Sequence, residues 1–196
     1  MTIHYIDDSR YANWVLGATH PTQGRRYTNA TAMLQHAAAT SGLDIVNVPS
    51  RQATRAELEV VHTPEYISRV LDSHTSGAWD GTDPVLAELS TLLFGGTMVA
   101  VEHVLHGALH VVHLPGAKHH AMAEYASGFC VFADFAAAAT LLTSVHNKRV
   151  AILDIDVHHG DGTEALLRNN SDALRSEEHT SELQSHLNLV CRLLLE

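Results

Sequence analysis

The stretch that most constrains the fold is residues 149–164, which read RVAILDIDVHHGDGTE. Its first part, 150–153, is a short apolar run typical of a strand buried on both faces of a parallel sheet. Five acids and imidazoles follow at once: Asp154, Asp156, His158, His159 and Asp161. Ligands of open α/β sheets bind beyond the carboxyl ends of the strands, so this stretch predicts a site at the edge of a parallel sheet.

Within this stretch, Asp156 and His158 are two residues apart, and on an extended backbone their side chains point the same way. Carboxylate oxygen and imidazole nitrogen suit zinc, and an open site leaves room for water. The alternative is an ordinary polar surface loop after a strand. Three Asp and two His within eight positions, beside Gly160 and Gly162, favour a metal or acid/base site.

Composition narrows the class of protein. With 196 residues, 45% of them hydrophobic and 17% charged, the chain is typical of one soluble globular domain. Its formal charge of -10 and its 12 Lys and Arg argue against nucleic-acid binding, because the neutralisation of phosphates needs clustered cations.

The cysteines and the N-terminus bear on the compartment. Cys130 and Cys191 are far apart without C-x-x-C spacing, which predicts neither a disulfide framework nor a thiolate zinc site and fits a reducing cytoplasm. The N-terminus lacks a basic region followed by an apolar one, and we expect no apolar run that approaches membrane-spanning length. We therefore expect a cytoplasmic protein that does not contact a membrane.

Apolar periodicity predicts alternating strands and helices. Strands are expected at 3–6, 43–48, 109–113 and 150–153, and helices from 28 to Gly42, over 53–58, from a Thr63 cap, over 84–106 and over 133–145. Gly95 and Gly96 interrupt the apolar pattern of the helix over 84–106, and close packing of two backbones is the expected reason for a glycine pair there. Residues 73–84 are expected to form a loop at the rim.

A second polar cluster, Lys118-His119-His120, follows the strand predicted over 109–113. The strand over 109–113, the helix over 133–145 and the strand over 150–153 make a βαβ unit. Such a unit predicts that both polar clusters lie above neighbouring strand ends. A lone His pair on a loop is commonly a surface feature. Asp154 and Asp161 are available to orient these imidazoles and raise their basicity, which favours an active site.

Three motifs in this order carry a family resemblance: PGAKHHA at 115–121, ASGFCVF at 126–132 and LDIDVHHGDGT at 153–163. They resemble the histone deacetylase superfamily, in particular the bacterial acetoin-utilization deacetylases. His20-Pro21, Arg26 and VHTPEY at 61–66 are similar to N-terminal segments of that family. The resemblance covers residues 1–174 and implies the arginase/deacetylase α/β fold, a parallel sheet sandwiched by helices, here its N-terminal part.

The resemblance also implies a zinc-dependent amidohydrolase acting on N-acetyl-lysine or a small acetylated amine, with roles that follow the motifs. Asp156 and His158 would be zinc ligands, and Asp154 would also hold a structural monovalent cation such as K⁺. His120 paired with Asp161 would be general base and then acid, and His119 paired with Asp154 would help electrostatically. Gly128 and Phe129 would line the acetyl-lysine channel, with Asp83 as an acid at its rim.

Two parts of the family pattern have no counterpart in this sequence: a third zinc ligand, an aspartate, and a tyrosine that stabilises the oxyanion. Residues 175–196 do not resemble the fold and read as translated sequencing adaptor, so we divide the chain into a partial deacetylase domain at 1–174 and a non-native tail at 175–196. The alternative for the tail is an amphipathic helix with Leu183, Leu187 and Leu194 on one face. With two ligands, the chain is predicted to be inactive as written.

Other functions compete with this reading. An acetylpolyamine amidohydrolase of the same superfamily shares the site and differs in its rim loops. A non-catalytic fragment that binds a metal or a partner belongs to a different class. Manganese ureohydrolases also use Asp-x-His, but the His119-His120 pair and the Gly128-Phe129 motif argue against them.

Overall fold

The computed structural model describes residues 1–177 and 192–195. The chain divides into two compact units. The first unit consists of Met1–Thr54 and Ser68–Gly116, and the second of Arg55–Ile67 and Ala117–Glu196. The strands are β1 (Thr2–Asp7), β2 (Asp44–Pro49), β3 (Val111–Val112), β4 (Val150–Asp154), β5 (Ala173–Glu177) and β6 (Arg192–Leu195). The helices are α1 (Arg25–Ser41), α2 (Arg55–Leu58), α3 (Pro64–Leu71), α4 (Pro84–Leu105), α5 (Asp134–Ser144) and α6 (Asp161–Leu167), with a 3-10 helix at Ser9–Asn13.

The first unit is built on a parallel sheet of order β2-β1-β3. Ile3 lies opposite Ile45 and His4 opposite Val111. The central strand β1 supplies Tyr5 and Ile6 to the core, both without exposed surface. Parallel strands joined through helices are the arrangement expected of an α/β protein, and the predicted fold class is confirmed.

Helix α4 forms the core of the first unit and runs without a break through Gly95 and Gly96. Asp83 caps it, accepting a hydrogen bond from the Leu86 N–H at 2.9 Å, and Pro84 occupies its first turn. A Cβ at Gly95 would collide with the carbonyl oxygen of Arg51, and one at Gly96 would lie 2.6 Å from Cε1 of His113. Gly95 therefore packs closely against another backbone, as predicted, whereas Gly96 packs against side chains, and the helix continues through both.

By length and hydropathy alone, α4 is able to cross a membrane, so the expectation that no apolar run approaches that length is wrong. An 18-residue stretch of this helix has a mean hydropathy of 1.6, and 78% of that stretch is buried inside the protein. Core helices of soluble proteins satisfy the same two criteria, so this single helix is weak evidence for a membrane span.

The second unit has a sheet of order β5-β4-β6. β4 pairs in parallel with β5, Val150 lying opposite Ala173, and antiparallel with β6, where Val150 lies opposite Leu195. The prediction that β3 and β4 are neighbouring strands is therefore wrong for the described residues: the two-residue β3 pairs with β1, and both edges of β4 are occupied. β4 is also not buried on both faces, because Leu153 is 36% exposed.

The described residues also bear on the predicted tail. Strand β5 crosses the proposed boundary between residues 174 and 175, since Ile152 pairs with Arg175 and Leu153 with Ser176. The alternative of an amphipathic helix concerns residues that lie mostly outside the described ranges. Of that helix, Leu194 falls within strand β6.

Candidate active site

All the described residues of this site belong to the second unit, and Asp154 at the end of β4 anchors it. Its side chain is 3% exposed. Oδ2 lies 2.8 Å from Nδ1 of His119, and Oδ1 accepts the N–H of Asp156 at 3.0 Å. Such a carboxylate fixes the imidazole tautomer with the proton on Nδ1 and raises the basicity of Nε2. The strand therefore ends in one of the two His–Asp pairs for which the sequence provides.

The second pair joins His120 to Asp161, the first residue of α6. His120 Nδ1 lies 2.7 Å from Asp161 Oδ1, and the His119 and His120 ring centroids are 4.0 Å apart. Burial acts to raise the pKa of Asp161, but the hydrogen bond and charge of His120, together with the N–H of Gly162, lower it below its usual value. Asp161 is thus held as a carboxylate against the imidazole. Two adjacent His–Asp pairs result.

Asp156 and His158 converge on each other beside these pairs. Asp156 Oδ1 accepts the backbone N–H of His158 at 2.8 Å and lies 2.8 Å from His158 Nδ1. The contact to the second following N–H is an Asx turn, so a turn brings the side chains together and not the extended backbone predicted. Both side chains face solvent, His158 being 71% exposed. The His120 and His158 ring centroids are 6.2 Å apart.

The chemistry of Asp156 and His158 fits two of the ligands of a zinc ion, which binds carboxylate oxygen and imidazole nitrogen. The two side chains lie within hydrogen-bonding distance of each other. Within residues 1–177 and 192–195, no group of three or more His, Cys, Asp or Glu could hold a metal ion. The cation role assigned to Asp154 stays a prediction, and both of its oxygens already accept hydrogen bonds.

A tight turn places Gly128 and Phe129 next to His120. Ser127 and Cys130 exchange two backbone hydrogen bonds, of 3.2 and 2.8 Å, around this pair. Both central residues have positive φ, 52° at Gly128 and 63° at Phe129, as a type I′ turn requires. A Cβ at Gly128 would collide with the ring of His120, lying 2.7 Å from its Cγ. Phe129 is 49% exposed, so an aromatic ring stands at the surface beside the His pairs.

Asp83 is a helix cap in the first unit, where its side chain accepts the N–H of Leu86. This position has a structural explanation of its own. The role of Asp83 as an acid at the rim of the channel stays a prediction.

Sequence reasoning missed the groups that hold the backbone around the His pair. Thr163 donates its N–H to the carbonyl of His119 at 2.9 Å, and a Cβ at Gly162 would lie 2.7 Å from the carbonyl carbon of His120. The start of α6 thus packs against this loop. Buried His62 and Asp134 hold the same loop from the other side. An acid directly after the apolar run 129–133 was a usable signal for Asp134, because such an acid needs partners.

Comparison with known proteins identifies the class to which this fold and site belong. The histone deacetylase domain model matches residues 20–186. The chain therefore belongs to the histone deacetylase family, as its motifs indicated.

Individual relatives agree. The chain is 32% identical over 189 residues to the acetoin utilization protein AcuC of Bacillus subtilis (strain 168), covering 89% of this chain and 48% of that protein. It is 30% identical to AcuC of Staphylococcus aureus (strain MRSA252), covering 82% and 44%. The crystal structure of the HDA15 HD domain matches with a TM-score of 0.74 at 25% identity, covering 90% of this chain and 53% of that one. The chain thus spans about half the length of the curated relatives it matches.

Proposed function

We propose that this chain carries the acid/base half of a zinc-dependent deacetylase that hydrolyses N-acetyl-lysine. The observation that carries the proposal is the pair of adjacent imidazoles, each bonded to its own carboxylate, beside Asp156 and His158. Membership of the histone deacetylase family supports the reaction class and acetylated substrates.

His120 is the residue we assign to proton transfer. Asp161 accepts a hydrogen bond from the Nδ1–H of His120, which leaves Nε2 as the basic nitrogen. In the hydrolysis, water adds to the acetyl carbon and loses its proton to Nε2. The C–N bond then breaks while the same proton passes to the leaving nitrogen, giving acetic acid, which ionises to acetate, and the free amine.

His119 has a different environment, and we assign it an electrostatic role. Its contact with buried Asp154 holds the ring, and the side chain of His119 is only 10% exposed. We propose that this ring, oriented by the carboxylate, stabilises negative charge that develops during the reaction. Gly128 lets the turn approach His120 closely, and we propose that Phe129 forms a wall for the apolar lysine stem.

We propose that Asp156 and His158 hold zinc. When bound, the ion polarises the acetyl carbonyl and lowers the pKa of water. Catalytic zinc sites ordinarily use three protein ligands, and the described residues bring two together. We therefore propose that the 196-residue polypeptide by itself is inactive and that activity belongs to a domain of the relatives' length.

Acetate release from an acetyl-lysine peptide, with and without zinc, tests the proposal on such an extended domain. We expect zinc-dependent release that His120→Gln lowers by about 100-fold or more, the contribution typical of a general base. Thr40→Ala on the exposed end of α1 is the matched control and should retain full activity. Full activity of His120→Gln, or no release by the extended domain, would contradict the proposed function.

A further inference from the structure

The loop that carries the His pair is held from its N-terminal side by Asp134. Asp134 has no exposed surface, and its two oxygens accept consecutive backbone N–H groups, Ala117 at 2.9 Å and Lys118 at 2.7 Å. His119 follows directly, and its own N–H donates to the carbonyl of Ala117 at 3.0 Å. The carboxylate therefore fixes the backbone one residue before the first imidazole.

This contact has a reason in the local backbone. Ala117 has a φ of 64°, a left-handed conformation that a residue with a Cβ adopts only when its surroundings impose it. Hydrogen bonds to an ionised carboxylate are about twice as strong as neutral ones. Asp134 is also the first residue of α5, where the helix terminus favours negative charge. A charged acceptor thus holds a strained turn.

The start of α5 also holds the backbone that follows the His pair, and it does so through His62. His62, 4% exposed, donates from Nδ1 to the carbonyl of Met122 at 3.0 Å, while its Nε2 accepts the N–H of Ala133 at 2.9 Å. Ala133 immediately precedes Asp134. The start of α5 therefore determines the backbone position before His119 and, through His62, after His120.

We propose that Asp134 is a positioning residue that sets the geometry of the His119 and His120 imidazoles by holding the backbone N–H groups of the turn before them. This inference rests on the proposed function only in that it takes the His pair as the acid/base machinery. The competing role is a purely structural one, in which Asp134 stabilises the second unit without controlling the imidazoles.

Nuclear magnetic resonance of the 196-residue chain separates the two roles. The readouts are amide hydrogen exchange at Ala117 and Lys118 and the low-field imidazole N–H signals, assigned with His119→Gln and His120→Gln. In Asp134→Asn one oxygen becomes a donor, so one of the two amides should exchange at least ten-fold faster and both imidazole signals should shift or broaden. Asp134→Ala should release both amides.

Leu142→Ala is the matched control, because Leu142 lies on the same helix and is fully buried but touches none of these groups through a hydrogen bond. Compared at equal global stability, it should leave the imidazole signals in place. If Asp134→Ala does not fold, the nearly isosteric Asp134→Asn decides. A folded Asp134→Asn with unchanged exchange and signals, or a Leu142→Ala variant with the same changes, would overturn the proposal. Absence of acetate release by the extended domain would contradict the deacetylase and leave these signals unaffected.

Discussion

His62 shows how a single buried residue couples this protein to pH. Both ring nitrogens are used, Nδ1 as donor to Met122 and Nε2 as acceptor from Ala133, which requires the neutral imidazole. Burial lowers the pKa of His62 to about 4, against backbone hydrogen bonds that act to raise it. Protonation of Nε2 would bring two donors face to face and break the contact to Ala133.

The free energy of unfolding should therefore decrease as the pH falls. The unfolded chain binds a proton at His62 below its ordinary pKa near 6.5, while the folded chain resists until about 4. This stabilising contribution is fully present above the pKa of His62 in the unfolded chain, and it is lost as the pH falls towards the pKa of His62 in the folded chain. The expected loss is about 3 kcal/mol between roughly pH 7 and pH 4. Urea unfolding across this range measures it, with His62→Gln as the variant that should lack this part of the slope. Parallel curves for the two proteins would contradict the prediction.

Gly128 is the second residue whose substitution has a defined outcome. An alanine there meets both a φ of 52° and the ring of His120. Gly42→Ala is the matched control, since Gly42 has a φ of 68° with nothing within 4 Å of the added Cβ. Gly42→Ala should cost about 1–2 kcal/mol from the left-handed backbone alone. Gly128→Ala should cost more and displace the His120 imidazole signal. Equal costs and an unmoved signal would contradict this prediction.

At the scale of elements, close backbone contacts outweigh intrinsic propensity. Helix α4 contains two adjacent glycines, which disfavour a helix, and still runs over 22 residues. The reason is that its middle packs against the segment at Arg51 and against His113 more closely than a side chain permits. Burial of this face stabilises the helix more than the glycines destabilise it.

Gly95→Ala should therefore destabilise the protein although alanine is the better helix former. Propensity favours the substitution by about 1 kcal/mol, but the collision with the carbonyl of Arg51 forces the backbones apart. We expect a net loss of about 1–3 kcal/mol, as for overpacked cores. Val85→Ala, at a position 52% exposed on the same helix, should stay within about 0.5 kcal/mol of the native protein. Thermal unfolding compares the two variants. A Gly95→Ala variant that is more stable than the native protein would contradict the prediction, because the segment at Arg51 would then have moved aside at little cost.

At the scale of the whole molecule, the chain corresponds to about half of its relatives, and its described candidate ligands number two. Each unit has its own sheet, and the described His–Asp pairs belong to the second alone. Acid/base groups and metal ligands can therefore be tested separately. The acid/base groups depend on contacts present in this chain, and the metal ligands on a coordination sphere to which we propose that this chain contributes Asp156 and His158.

Zinc binding should reflect that division. By titration calorimetry, the 196-residue chain should bind zinc about 100-fold or more weaker than an extended domain, because three ligands ordinarily hold a catalytic ion. Asp156→Asn should weaken the binding further. His103→Gln tests the other close imidazole pair, in which His4 and His103 Nδ1 atoms lie 2.7 Å apart, and should leave the affinity unchanged. A greater loss with His103→Gln than with Asp156→Asn would place the zinc elsewhere.

The sequence by itself determined most of the elements and the composition of the site. The apolar run at 150–153 and the acids and imidazoles after it depend on local pattern, and β4 forms there with its predicted polar end. The two His–Asp pairs were expected from the family resemblance of the motifs, and the structure brings His119 to Asp154 and His120 to Asp161.

Only the tertiary structure decided which strands pair and which buried groups hold the His pair in place. β3 and β4 lie in different sheets, since strand pairing depends on competition among all available edges. Asp134 and His62 are 72 residues apart in sequence and meet the same loop through backbone atoms, whose positions no side-chain pattern encodes. The chemistry can thus be predicted from local residue types, but the geometry that aligns it depends on long-range contacts.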